Sequence, residues 1–200
     1  MCNGWALVTA AFRDAKIPVP EINLPAVPES NEEFLDYEQI QTFLTAVRGN
    51  PVELAAPLML HSLRVSEVLA LDVQDITPER IRVRGAVVPD KNNMFVFKET
   101  NKNRTSTRDV PVMIDRLTEL LPESVRAVTL HPSSIRRLET VCKKAGLPVC
   151  SPHDLRRSFA SLGYHLHWSE RAIMAVGGWN NIETVSFIRQ RRPHRTAFLF

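Results

Sequence analysis

A chain of 200 residues that is 44% apolar and 24% charged has the ordinary make-up of a soluble globular protein with one substantial core, and no stretch approaches the ~18 apolar residues of a spanning helix. Cys2, Cys142 and Cys150 are odd in number and form no CxxC, which argues against a disulfide framework or a zinc site and favours a reducing cytoplasm; the start lacks the basic and apolar regions of a signal peptide. Net charge is only +3, but residues 1–97 carry 8 basic and 13 acidic side chains against 17 and 9 in residues 98–200, so a polyanion-facing surface is expected in the second half.

Residues 1–16 read as one helix with Trp5, Val8 and Phe12 on one side, too short to be a domain. Pro18, Pro20, Pro25 and Pro28 then forbid a helix and predict an extended linker over 17–33. From residue 34 the periodicity is helical. Tyr37, Ile40, Phe43, Leu44 and Val47 share a stripe that Gly49 closes, and Pro51 is placed in the first turn of a second helix bearing Leu54, Leu58 and Met59. HSLRVSEVLALDVQDI reads as a turn and a further helix.

Residues 80–113 switch to strand character. RIRVRGAVV alternates around Ile81 and Val83, NMFVFK and RDVPVM follow, and Asp90, Asn92 and Asn93 supply a turn, so one sheet of about three strands is expected. Helices return at Ile114–Leu121 and Pro132–Ala145, the latter stopped by Gly146, and again where Leu155, Phe159, Leu162 and Leu166 repeat. The predicted class is mainly α with a small antiparallel β-sheet.

Strong donors occur in four separated pieces: Arg64 in LHSLRVSEVLAL, Lys102 in the strand connection KETNKNRTST, His153 and Arg156 in HDLRR, and Trp179 in GGWN. Pro152 marks a helix start, and side chains three apart there reach one spot beside the positive helix end. Two arginines fork onto the oxygens of one phosphate, a lysine ammonium protonates a leaving alkoxide, and a neutral histidine takes a proton up. Such a set stabilises a pentacoordinate phosphoryl transition state without a metal or other cofactor. Each piece has an ordinary alternative: Arg64 in an intrahelical pair with Glu67, Lys102 solvated, His153 as a cap, Trp179 as packing. His165 and His167 face different sides of a helix and make a poor metal pair.

In this order the pieces resemble the catalytic domain of the tyrosine recombinases, the phage integrase family, over residues 34–188. The resemblance implies Arg64 and Arg156 as phosphate-gripping arginines, with Glu67 as the supporting acid of the first. It implies His153 from the HDLRR box, Trp179 from AVGGWNNIETVSFI, and the hairpin lysine at Lys102, counted back from Arg108–Pro111, with Lys98 as second choice. It implies double-stranded DNA as partner, a homotetramer on two sites, no cofactor, and a mobile-element origin. Residues 1–16 would end an upstream helical DNA-binding domain. The implied reaction is attack by a tyrosine on a DNA phosphodiester, giving a 3′-phosphotyrosine and a free 5′-hydroxyl.

The nucleophile is missing from its place. Nine and ten residues after Trp179 stand Ile188 and Arg189, and the chain has only Tyr37 and Tyr164. Exchange of a tyrosine between identical copies cannot supply one. Residues 189–200 form an atypical basic tail in which Pro193 bars a continuous helix, consistent with a frameshifted or truncated end. The chain is therefore expected to bind DNA without forming the covalent link. The competing reading is a non-enzymatic helix-turn-helix regulator built on FASLGYHLHWSERAIMAVGG.

Overall fold

The computed structural model describes residues 2–23, 34–99, 107–124, 135 and 137–191, and the chain divides into two units, residues 1–32 and 33–200. In the first, helix α1 (Cys2–Asp14) is followed by extended chain through Pro18 and Pro20 to residue 23. Leu7, Val8, Ile17 and Ile22 are exposed. Pro25 and Pro28 lie outside the described residues.

In the second unit α2 (Tyr37–Ala46) opens on a reciprocal cap: Gln39 N–H donates to Asp36 Oδ1 at 2.8 Å and Asp36 N–H to Gln39 Oε1 at 3.0 Å. Its Ile40 and Phe43 are buried and Gly49 takes the left-handed conformation beyond its end (φ 70°). Pro51 does not start the next helix. Residues 51–54 form turns, and α3 (Ala55–Leu60) follows with every residue buried. Burying Leu58, Met59 and Leu60 contributes on the order of 1.5–3 kcal/mol each, which makes this short helix the centre of the core. Behind α3, the His61 ring accepts the Met113 N–H at Nε2 (2.9 Å) and hydrogen-bonds the Pro57 carbonyl through Nδ1 (2.7 Å), tying α3 to the chain after the last strand. Burial drives its pKa down to about 4, so it is neutral.

Helix α4 (Val65–Val68) leads, among the described residues, to four strands: β1 (Arg80–Val83), β2 (Gly85–Pro89), β3 (Phe95–Glu99) and β4 (Arg108–Pro111). The single three-stranded sheet expected for this region is instead two antiparallel ladders, β1 with β4 and β2 with β3. The run RIRVRGAVV breaks at Arg84, whose guanidinium turns to Asp75 (2.7 Å). Gly85 admits the Phe97 ring so closely that a Cβ would lie 2.5 Å from a ring carbon. The β2–β3 turn is the expected one, with Asp90 Oδ1 accepting from Asn92 and Met94 N–H and Asn93 at φ 59°.

Among the described residues helices α5 (Asp115–Ser124), α6 (Arg137–Lys144), α7 (Pro152–His165), α8 (Glu170–Gly177) and α9 (Ile182–Arg191) follow. α7 packs on α3, and α8 and α9 pack on α7. Ser151 caps α7 with Pro152 at its first position, and Ser158 Oγ, accepting from Leu35 N–H at 2.9 Å, ties the entry of the unit to α7. α9 carries regular helix through Arg189 to Arg191, and the remainder of the expected tail lies outside the described residues. Among the described residues no helix is long and apolar enough to cross a membrane.

Candidate functional site

Glu67 is the hub of a buried polar network. Arg64 is the N-cap of α4, and Glu67, three residues on, accepts its backbone N–H (2.8 Å) and its guanidinium (2.8 Å). From the far side Arg108 of β4 forks onto both carboxylate oxygens at 3.2 and 3.1 Å, and Arg156 Nη1 lies 3.8 Å away. Burial alone would raise the Glu67 pKa; the hydrogen bonds and charge of Arg108, followed by Arg64, outweigh it and hold the carboxyl below its ordinary value.

Arg156 projects from the first turns of α7 and is 2% exposed. It donates to the Ser62 carbonyl and, at 2.8 Å, to the Gly177 carbonyl, and its guanidinium carbon lies 5.5 Å from the centre of the Trp179 ring. Ser62 makes this possible by adopting φ 66°, a left-handed conformation that costs a non-glycine residue roughly 1–2 kcal/mol. Its carbonyl accepts from Arg108 as well as Arg156, and its hydroxyl donates to Gly177. Burial, then the charge of Arg64, then that of Arg108 lower the Arg156 pKa to about 9 against the opposing pull of Glu67. Three guanidiniums around one carboxylate leave the site short of negative charge, and an anion relieves that imbalance.

The opening of the site is a cavity of about 600 Å³ lined by the polar Arg64, His153 and Arg156 together with the apolar Leu69, Val87 and Phe95. Ser151 and Pro152 also line it, so the α7 N-terminus faces the space. Arg64 is half exposed, with a side-chain accessibility of 51%, and His153 is exposed. Of the residues singled out from sequence, Arg64, His153 and Arg156 thus line one concavity with Glu67 behind them. Trp179 lies against Arg156 and edge-on to Phe159 (5.8 Å) rather than in the cavity wall. Lys98 is exposed on β3, and strand alternation sends it to the face opposite Phe95. Lys102 lies outside the described residues.

The expected nucleophile positions point elsewhere. Ile188 is fully buried in an apolar cluster with Phe159, Ile173 and Val185, and Arg189 pairs with Glu170 at 3.3 Å. The Tyr164 hydroxyl is held by Glu170 (3.0 Å) and the Val185 carbonyl (3.1 Å), and Tyr37 stacks on His165 (ring centres 3.6 Å apart). None of the four lines the cavity. Sequence reasoning missed Arg108 and Ser62. A signal for Arg108 was available: two residues before the buried Val110, it shares the inward face of β4.

The Phage integrase family model matches residues 33–192. The Tn1549 transposon integrase, solved in complex with transposon right end DNA, superposes with a TM-score of 0.76 at 16% identity, covering 96% of this chain and 74% of that one. XerA recombinase gives 0.60 at 16% identity, covering 94% and 74%. The catalytic domain of bacteriophage HP1 integrase gives 0.55 at 22%, covering 81% and 89%. No curated protein matches the sequence.

Proposed function

Because this chain belongs to the phage integrase family, we propose that residues 34–188 are a tyrosine-recombinase catalytic domain that grips a phosphodiester of double-stranded DNA in the Arg64–His153–Arg156 cavity and does not cleave it. The observation that carries this reading is the meeting of Arg64 and Arg156, from α4 and α7, on one concavity around a shared carboxylate. Glu67 occupies one edge of the Arg64 guanidinium while the half-exposed fork lines the cavity, an arrangement suited to two-pronged contact with non-bridging phosphate oxygens. Each such charged hydrogen bond contributes about 1.5–3 kcal/mol. His153 at the amino end of α7 adds a donor or acceptor beside the positive end of the helix.

The same groups would stabilise charge on the equatorial oxygens if a nucleophile attacked, with Lys102 protonating the leaving alkoxide. Attack is what this chain lacks: Ile188 is in the core and Arg189 faces Glu170. The domain is therefore a DNA-holding member of a mobile-element recombinase lineage. It acts in the cytoplasm and assembles as a homo-oligomer on its sites, and residues 1–16 continue an upstream DNA-binding domain. Fluorescence anisotropy with a labelled duplex tests the grip. Affinity should fall with salt at a log–log slope of about −1 or steeper, the mark of at least one neutralised phosphate, and Arg156→Ala should weaken it tenfold or more. Equal affinity of the variant overturns the reading, and tight sequence-specific binding insensitive to Arg64 and Arg156 would favour the helix-turn-helix alternative.

A further inference from the structure

Arg108 donates four hydrogen bonds, and all of them go to the protein. Nε donates to the Val176 carbonyl at 3.2 Å, Nη1 to Glu67 Oε1 at 3.2 Å, and Nη2 to Glu67 Oε2 and to the Ser62 carbonyl, both at 3.1 Å. A guanidinium has five N–H donors, so four are committed, and the side chain is only 8% exposed. Arg108 is not part of the cavity wall. Every acceptor it holds is one that orients a cavity arginine or adjoins it. Glu67 holds Arg64, Ser62 O also binds Arg156, and Val176 O precedes Gly177 O, the other acceptor of Arg156. The last carbonyls of α8, which have no partner within the helix, are thus closed by two arginines side by side. The turn after α8 is shaped to admit this: Gly178 is left-handed (φ 64°), and a Cβ there would lie 3.2 Å from the Arg108 guanidinium carbon.

We propose that Arg108 is a positioning residue of the phosphate cavity. Without touching the phosphate it clamps Glu67, Ser62 and the end of α8 into one frame, and through that frame fixes the guanidiniums of Arg64 and Arg156. The proposal deepens the phosphate-gripping reading and rests on it. A lysine cannot replace it, because a single ammonium cannot span a bidentate carboxylate and two carbonyls in three directions.

The test is Arg108→Lys in the full chain, read in two ways. The first is ¹⁵N-edited NMR of the arginine side chains, with Arg156 assigned by Arg156→Lys. The wild type should give a sharp, slowly exchanging Arg156 guanidinium signal, and Arg108→Lys should broaden it or move it to the position of a solvated arginine. The second is anisotropy with a labelled duplex of arbitrary sequence, where affinity should drop about tenfold while the far-UV spectrum is retained. An unchanged Arg156 signal, or a changed signal with undiminished affinity, overturns the proposal. If the wild type binds no duplex, the phosphate-gripping reading fails, and the Arg156 signal alone still decides whether Arg108 sets the frame. Should Arg108→Lys not fold, both readings are taken on Glu67→Gln, which keeps Arg108 but removes one carboxylate oxygen from its fork. A sharp Arg156 signal and full affinity there are equally fatal.

Discussion

The two ends of α7 and the helices beside it show opposite uses of burial. Around its amino end, a carboxylate, the arginines Arg108 and Arg156 and a strained serine carbonyl are buried together, each satisfied by another, with the half-exposed Arg64 beside them at the edge of an open cavity. Toward its carboxyl end, where α8 and α9 pack, the interior is apolar: Phe159, Ala160, Ile173, Val185 and Ile188. The first region keeps costly polar groups inside, where removing any one of them leaves a buried charge or carbonyl without its partner. The second has the composition of an ordinary core. On the proposed function, gripping a phosphate and attacking it are separate tasks: the polar region is the one assigned to the first, and Ile188, at a position expected for the second, sits among hydrocarbon.

That contrast can be broken at several points. The largest effect is expected for Glu67→Ala, which leaves Arg108 and Arg156 buried without their counter-charge and should cost about 3–5 kcal/mol in urea unfolding; a loss below about 1 kcal/mol would mean the network does not hold the polar region together. Next is an acid response. His61 has a folded pKa near 4 against an unfolded value near 6.5, so the folded state binds fewer protons, and its stabilisation is present above pH 6.5 and lost as pH falls towards 4. Unfolding curves should show the wild type losing about 3 kcal/mol more than His61→Gln across that window; parallel pH profiles would show that His61 is not held neutral. In the apolar region, Ile188→Tyr should overpack the cluster at a cost of about 1–3 kcal/mol and still give no covalent DNA adduct, because the side chain at 188 points into the core. An adduct would show that α9 can re-aim. The smallest stability change belongs to Arg64→Ala, within about 1 kcal/mol for a half-exposed ion pair, yet duplex affinity should fall at least tenfold. An affinity loss no larger than the stability change implies would remove Arg64 from the grip.

How much of this the sequence disclosed follows the range of the forces involved. α2 and α7 were readable because a repeating apolar stripe, closed by Gly49 in the first and opened by Pro152 in the second, acts within a few residues. The late start of α3 and the break at Arg84 were not, because they depend on partners distant in the chain or on close packing: Asp75 for Arg84, the Phe97 ring for Gly85, the core for Ala55 and Ala56. The same division holds in the site. Arg64, His153 and Arg156 each have an ordinary local reading and stand out only through the order of their segments along the chain. Arg108 sits in an ordinary strand segment and acquires its place only when β4, α4 and the end of α8 come together.

The central claim, a phosphate grip without an attacking group, is tested most directly by one incubation of the chain with a nicked suicide duplex taken from the DNA flanking its own gene, run side by side on native and denaturing gels. The account predicts a retarded complex on the native gel that Arg156→Ala loses, and no protein–DNA band that survives denaturant. A denaturant-stable band, or a native complex that Arg156→Ala leaves intact, would contradict it.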